Sequence, residues 1–421
     1  MAIIYRIVHA VFPIALLAIT PLLQAASASV SIHDHAMLPE DKTMTLETVL
    51  ESAMARYPMA LELAARSEEA SAWASRSHQW MSDSPSLSFR YQSDRPAGDN
   101  GLTEFEAGLQ LSLWRWGERK STRLLSQHMA AESVAAEKVM RWKVAGQLRN
   151  ALWDIALAID RYETARSRLD HATQLTLTIE RRHALGDVAL TDVLLAQAAK
   201  IEIEKSVIET EAAVRDAERA YSRTTGLVAR PPFRHEVRSG RASIVTAHPA
   251  LRFSDAQVAR AQANHTVAEA SAKGSPTVLI GPRRERGAFE NQYDESIGVT
   301  VSVPIGGVTH TRAKLSASKR AIAAAKANHA QVRRELEFEL HEATHRLNVI
   351  KDSLEASKLL SKISKKHYNI GESAYEKGEL DLMDLLKLQT MAVDAERAVR
   401  LLETDHKRQI ARYNQSVGVL F

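Results

Sequence analysis

Two sets of residues in this sequence have the types and spacing to do chemistry. His341, Glu342 and His345 fit the H-E-x-x-H pattern, in which two histidines one helical turn apart bind zinc and the glutamate activates water. The second set lies in a stretch written twice. Gly186-Asp187-Val188-Ala189-Leu190-Thr191-Asp192-Val193 recurs as Gly378-Glu379-Leu380-Asp381-Leu382-Met383-Asp384-Leu385, glycine on glycine and aspartate on aspartate. In each copy a glycine breaks a long helical pattern, a carboxylate follows, and an apolar helix resumes.

The zinc reading is the weaker of the two. The motif sits mid-way along an uninterrupted helical pattern, with Ala343 on its apolar seam and no third ligand placed nearby, and residues 150–154 of the first half do not echo it. His341 and His345 therefore read as a solvated helix face. His33-Asp34-His35 offers two histidines and a carboxylate on a polar segment, which reads as a solvated tail. Neither a Gly-rich phosphate loop nor a nucleophile elbow is present. The absence of cysteine excludes disulfides, thiolate metal sites, a Cys nucleophile and lipidation on an N-terminal cysteine. No catalytic residue, metal or cofactor is expected. With 55 basic against 51 acidic residues, the charge balance does not point to nucleic acid.

The doubled bend allows two readings. A carboxylate placed alike in two repeats becomes a ring when copies assemble about an axis, and Asp192 with Asp384 would then line a constriction that favours cations or holds a pore shut. Alternatively each carboxylate stabilises the exposed amides of a helix start, worth about 0.5–2 kcal/mol. Spacing alone leaves both open.

The elements that position these bends are themselves repeated. Tyr57-Pro58 recurs as His248-Pro249, Ser84-Pro85 as Ser275-Pro276, Gly108-Leu109-Gln110-Leu111-Ser112-Leu113 as Gly298-Val299-Thr300-Val301-Ser302-Val303, and Tyr221 with Gly226 as Tyr413 with Gly418, all at a near-constant offset. The layout is a signal peptide over 1–28, a polar flexible segment over 29–44, a first repeat over 45–226, a linker over 227–247 and a second repeat over 248–421. The signal peptide follows from Arg6 and His9 before an apolar run, closed by Ala26-Ser27-Ala28. That run is too short to span a bilayer, and no later one is long enough, so any entry into a membrane must use strands.

Each repeat reads helix, strand, loop, strand, long helix, bend, returning helix. Leu87, Phe89 and Tyr91 alternate with polar residues over 84–92, and Leu109, Leu111 and Leu113 do so up to Trp114 and Trp116, which stand where an interfacial aromatic belt is useful. The second pair covers 277–280 and 299–305, separated by a polar loop over 283–295. Leu279 breaks its alternation, and Pro282 is expected at a strand edge or end. A small hairpin on a soluble core is the alternative. Residues 117–186 and 307–371 read as helices on the order of 100 Å long. Their seams repeat every 3.5 residues through Leu148, Leu152, Ile155, Ile159, Tyr162 and Leu169, and through Leu336, Leu340, Ala343, Leu347, Ile350 and Leu354. Such narrow seams and only four strands both call for self-association, two copies giving eight strands and three giving twelve with room for a lumen.

The pattern resembles the TolC-type outer-membrane factor family over essentially the whole mature chain. The resemblance rests on the doubled layout, on Gly186 to Val193, and on Tyr375-Glu376-Lys377-Gly378 with Asp384 beyond. Arg284-Glu285-Arg286-Gly287, Tyr293-Asp294-Glu295-Ser296 and Val301-Ser302-Val303-Pro304-Ile305 look most like the CzcC-like branch that serves heavy-metal efflux. The resemblance implies a mainly α chain with membrane β: a homotrimer with a twelve-stranded barrel in the outer-membrane lipid of a Gram-negative bacterium and a coiled-coil α-barrel through the periplasm. It implies a passive exit duct, with Gly186, Asp187, Gly378 and Glu379 as tips docking a periplasmic adaptor (membrane fusion) protein and an inner-membrane resistance-nodulation-division-type pump. Asp192 then matches a gate aspartate, Tyr375 a gate tyrosine and Asp384 a selectivity aspartate. Leu380 replaces the pattern's arginine, and Lys387 its second aspartate, leaving Lys387 to pair with Asp384 or a neighbour. The rival is a periplasmic coiled-coil scaffold or adaptor without a pore.

Overall fold

The computed structural model describes residues 37–421 apart from 97 and 99; the expected signal peptide and the His33/His35 pair lie outside the described residues. Among these, the first half forms α1 (Leu46–Arg56), α2 (Ala60–His78), β1 (Ser86–Ser93), β2 (Thr103–Ser112), α3 (Glu118–Ala184) and α4 (Leu190–Thr225). The second half forms α5 (Pro249–Ser271), β3 (Thr277–Arg286), β4 (Asp294–Ser302), α6 (Val308–Glu376) and α7 (Leu382–Ser416). Thr45 opens α1 with a capping box to Thr48, and the chain breaks before Pro58 because the residue preceding a proline is driven out of helical space. No described helix is long and apolar enough to cross a membrane.

At 67 and 69 residues, α3 and α6 each extend about 100 Å. α3 runs unbroken through Gly146, where the missing Cβ leaves room for Gln415 of α7. α6 continues past Gly371, the expected end of its long stretch, to Glu376, because Gly371 lets Leu388 of α7 press against it. The seams are in place: Leu148 and Ile155 are fully buried, as are Leu336, Leu340 and Leu347 to within a few per cent. α3 contacts both α4 and α7, and α7 contacts α6, so the long helices run in the order α4, α3, α7, α6, with α2 and α5 filling in beside α3.

The strands form one antiparallel sheet in the order β1-β2-β3-β4, leaving β1 and β4 as open edges. Three bounds differ from the sequence reading. β2 begins at Thr103, because Glu104 and Glu106 continue the polar face that Gln110 and Ser112 end. β4 begins earlier, at Asp294, and stops at Ser302, before Pro304. β3 runs through Pro282 to Arg286, so this proline lies inside an inner strand, a correction to its expected place at an edge. It is tolerated because the β2–β3 ladder lapses there: pairing is kept at Glu106–Arg283 and Leu109–Ile280 but not between them.

At mid-height a strap made of residues 227–247 closes the bundle. Arg149, 3% exposed, sends Nε and Nη2 to the two carboxylate oxygens of Glu236 at 2.7 and 3.0 Å. Its Nη1 donates to the Val419 carbonyl at 3.0 Å, and its guanidinium carbon lies over the Phe421 ring, 4.7 Å from the centroid. Asn414 donates to Glu236 and Val237 and accepts from the Ser239 amide, so the strap is fixed to α3 and to the chain's end.

His248, the N-cap of α5, is completely buried edge-on to Trp142, and its Nδ1 accepts the Ala250 amide at 3.2 Å. Burial, aided by the charge of Arg241, pushes its imidazole down to about 4. The unfolded chain then binds the extra proton between about pH 6.5 and 4, so stability is full above that window and falls as pH drops through it, by about 3 kcal/mol in all. Denaturation midpoints measured from pH 7 to 4 should show that loss, and His248→Gln should flatten it.

Candidate functional site

Both bends are built by one backbone motif. At the first, Gly186 takes φ +83°, its amide donates to the His183 carbonyl at 2.9 Å, and the Asp187 amide donates to Arg182 at 2.9 Å. At the second, Gly378 takes φ +76° and donates to Tyr375 at 3.0 Å, while Glu379 donates to Ala374 at 2.9 Å. These are paired Schellman closures, and only glycine adopts such φ values without strain. Asp187 and Glu379 are exposed at the two tips.

The helices that follow differ in how they start. Asp381 is the N-cap of α7, its Oδ1 accepting the Asp384 amide at 2.7 Å, whereas α4 begins after Ala189 with no side-chain cap. Asp192 and Asp384 both occupy the third helical position, so neither is the capping residue. The capping aspartate was legible as the D-x-x-D spacing of Asp381 and Asp384. Val188 and Leu380 both precede their caps, the place where an apolar residue staples a helix start. Val188 joins the cluster of Ile179, Val193, Ala196, Leu382, Tyr375 and Leu386, and Leu380 folds back beside Gly371. Leu380 is thus part of the bend's packing.

That cluster brings the two bends of one chain together. Tyr375 of α6 packs against α3 with Arg182 over its ring at 5.0 Å, and its hydroxyl is buried without a hydrogen-bond partner among the described residues. Asp192 lines the same cleft of about 510 Å³ with Arg182, Tyr375 and Leu380, but among the described residues its carboxylate has no hydrogen-bond or ion-pair partner. Asp384 does: Lys387 Nζ reaches its Oδ1 at 2.9 Å, and this contact raises the Lys387 ammonium above its ordinary range. Of the two third-position aspartates, Asp384 is neutralised, and Asp192 is without a partner among the described residues.

At the opposite end, the registers sort the sheet into two faces. Leu87, Phe89, Tyr91, Phe105, Leu109, Ile280, Ile297, Val299 and Val301 share one face, and all are exposed. The other face carries Ser88, Glu104, Glu106, Gln110, Arg283 and Thr300, with Arg283 paired to Glu104 at 3.1 Å. Leu279, the exception on the polar face, lies over Gly108, filling space that a side chain there would occupy. Among the described residues no helix covers the apolar face. Trp116 is 99% exposed beyond the end of β2, while Trp114 is half-buried and donates Nε1 to the Gln79 carbonyl at 2.9 Å.

His341 and His345 are both exposed on α6, and Glu342 pairs loosely with Arg346 at 3.7 Å. Among the described residues, no three His, Asp or Glu side chains are grouped to hold a metal ion.

A sheet with one exposed apolar side, set on a bundle of helices about 100 Å long, has close counterparts among solved structures. This is the fold of outer-membrane channels. The chain matches VceC, an outer membrane protein of Vibrio cholerae, with a TM-score of 0.69 at 15% identity over 89% of this chain and 97% of that one. CusC matches with a TM-score of 0.71 at 14% identity over 92% of this chain and 96% of that one. The CmeC outer membrane channel of Campylobacter jejuni matches at 0.69 and 16% identity, over 89% and 85%. In sequence, residues 243–419 match the family described as outer membrane efflux protein. No curated protein matches the chain in sequence.

Proposed function

We propose that this chain is the outer-membrane exit duct of a tripartite efflux system in a Gram-negative bacterium, a homotrimer that conducts passively what an inner-membrane pump of the resistance-nodulation-division type expels. The observation that carries this is the sheet: an exposed apolar face, a polar face and two open edges. In water such a face is a liability, whereas in lipid it is the outer wall of a barrel. Three copies, joined β1 to β4, give twelve strands around a polar lumen. The helices support self-association as well. The outermost of the four long helices, α4 and α6, carry exposed apolar residues every seventh position, Leu194, Ile201 and Ile208 on one and Ile363 and Ile370 on the other. Neither stripe is covered among the described residues, and each finds its mate on the neighbouring copy.

In this reading the bends form the periplasmic tip. Gly186, Asp187, Gly378 and Glu379 dock the adaptor and pump, and the Asp192–Tyr375 cleft is the gate, its unpartnered hydroxyl and carboxylate awaiting a neighbouring protomer or an opening motion. Trp114 and Trp116 border the inner edge of the lipid band. Heavy-metal cations are the cargo that the strand-pair resemblance favours. The rival scaffold reading leaves the apolar sheet face without a purpose.

Conductance of the purified trimer in planar bilayers tests the proposal. Asp192→Ala with Asp384→Ala should raise the open conductance, and Lys387→Ala, which frees the Asp384 carboxylate, should shift the reversal potential toward cation selectivity. A protein that fractionates as a soluble periplasmic species and forms no pore in either form would overturn it.

A further inference from the structure

Resting on the exit-duct reading, we propose that Arg284 and Arg286, gathered on Tyr293 at the outer edge of the apolar band, form a clamp for the phosphate of an anionic glycolipid in the outer leaflet. The register places Tyr91, Phe105, Arg284 and Glu295 in one row across the sheet, on the face that carries Leu87, Leu109, Ile280 and Val299 nearer the helices. Tyr91 and Phe105 stack with centroids 4.9 Å apart, the start of an aromatic belt at the end of the sheet remote from Trp116. Above them the guanidinium carbons of Arg284 and Arg286 lie 4.6 and 5.1 Å from the centroid of one ring, Tyr293.

On the polar face Arg283 is held by two carboxylates, Glu104 and Glu285, and Arg90 donates to Gln92 at 2.7 Å. The two arginines of the outward face are held less. Arg284 meets only Glu295, at 3.7 Å between two well-exposed side chains, and among the described residues Arg286 pairs with no carboxylate, donating Nε to the Gly101 carbonyl at 3.0 Å. Two arginines on the lipid-facing side of a barrel carry a cost that shrinks toward the interface and is offset by an anion there. A guanidinium fork matches phosphate oxygens in pairs, and stacking on Tyr293 holds both forks at one height, where a lipid headgroup sits and a free ion would gain nothing from the apolar row beneath.

Native mass spectrometry of the detergent-solubilised trimer, with bilayer insertion measured on the same samples, provides the test. Bis-phosphorylated lipid A should be retained by the wild type, up to one per protomer, and about tenfold or more less by Arg284→Gln with Arg286→Gln. Arg284→Lys with Arg286→Lys should fall between, keeping charge but losing the fork. Dephosphorylated lipid A should bind no better than to the double glutamine variant, and inorganic phosphate should not displace the lipid. Equal retention by wild type and the glutamine variant, or of the dephosphorylated lipid, overturns the clamp while insertion leaves the duct standing. Failure of wild type and variant alike to insert overturns both.

Discussion

Gly281→Val should leave the protein unable to complete its sheet, with the helices formed and no trimer recovered from the outer-membrane fraction. A Cβ at this position would fall 1.8 Å from the Ala107 carbonyl oxygen and 2.5 Å from the Gly108 Cα, both backbone atoms that side-chain motion cannot relieve. This is the point where the β2–β3 ladder lapses, so the two strands are already pressed together without hydrogen bonds to share the strain. Overpacking costs about 1–3 kcal/mol where side chains can give way, and more where, as here, backbone must move. The neighbouring row supplies the control. Gly298 lies opposite Gly281 on β4, yet its nearest backbone atom to an added Cβ is 3.9 Å away, so Gly298→Ala should assemble normally. Heat-modifiable mobility of the trimer separates the two outcomes, and a trimer from Gly281→Val would show that the strands part more easily than this spacing allows.

The second large effect is expected at mid-height. Arg149→Ala strands the Glu236 carboxylate, 16% exposed, against α3 and the chain's end, where only Asn414 still donates to it. Breaking a buried pair from one side costs about 3–5 kcal/mol, far more than the pair is worth in itself. Chemical denaturation should therefore show a large loss for Arg149→Ala and a smaller one for Arg149→Leu with Glu236→Leu, which removes both charges. Equal losses would place the effect in packing against Phe421.

These two sites mark what the sequence withholds. Periodicity within one segment is visible in a sequence, so the seams through Leu148 and Ile155, the strand alternation of Leu87 and Phe89, and the helix-breaking Gly186 and Gly378 could all be read directly. Contacts between distant segments are not. Nothing beside Arg149 announces Glu236, which belongs to a stretch that reads as a linker. Glu104 and Glu106 hide the start of β2, because charged residues on a strand's inner face are expected only once the barrel is known to be polar inside. Pro282 looks like a strand end until the ladder's lapse shows that its missing amide is not needed. At the tip, the repeat located Asp192 and Asp384, and the structure adds what repetition could not: Lys387 neutralises one of them, and Leu380 is a staple for a bend.

The sheet's central pairing also sets an order of events in biogenesis. β1 with β2, β3 with β4, α3 with α4 and α6 with α7 are each joined by a short connection, but β2 meets β3 only after α3, α4, the strap and α5 have been made. Contacts so distant along the chain form last. Until then two apolar hairpins stand in water, each with open edges, and the finished sheet still has two. The chain's most adhesive interval thus precedes its central pairing, and in the assembly proposed above its yield would depend on how fast sister copies arrive to close the two remaining edges.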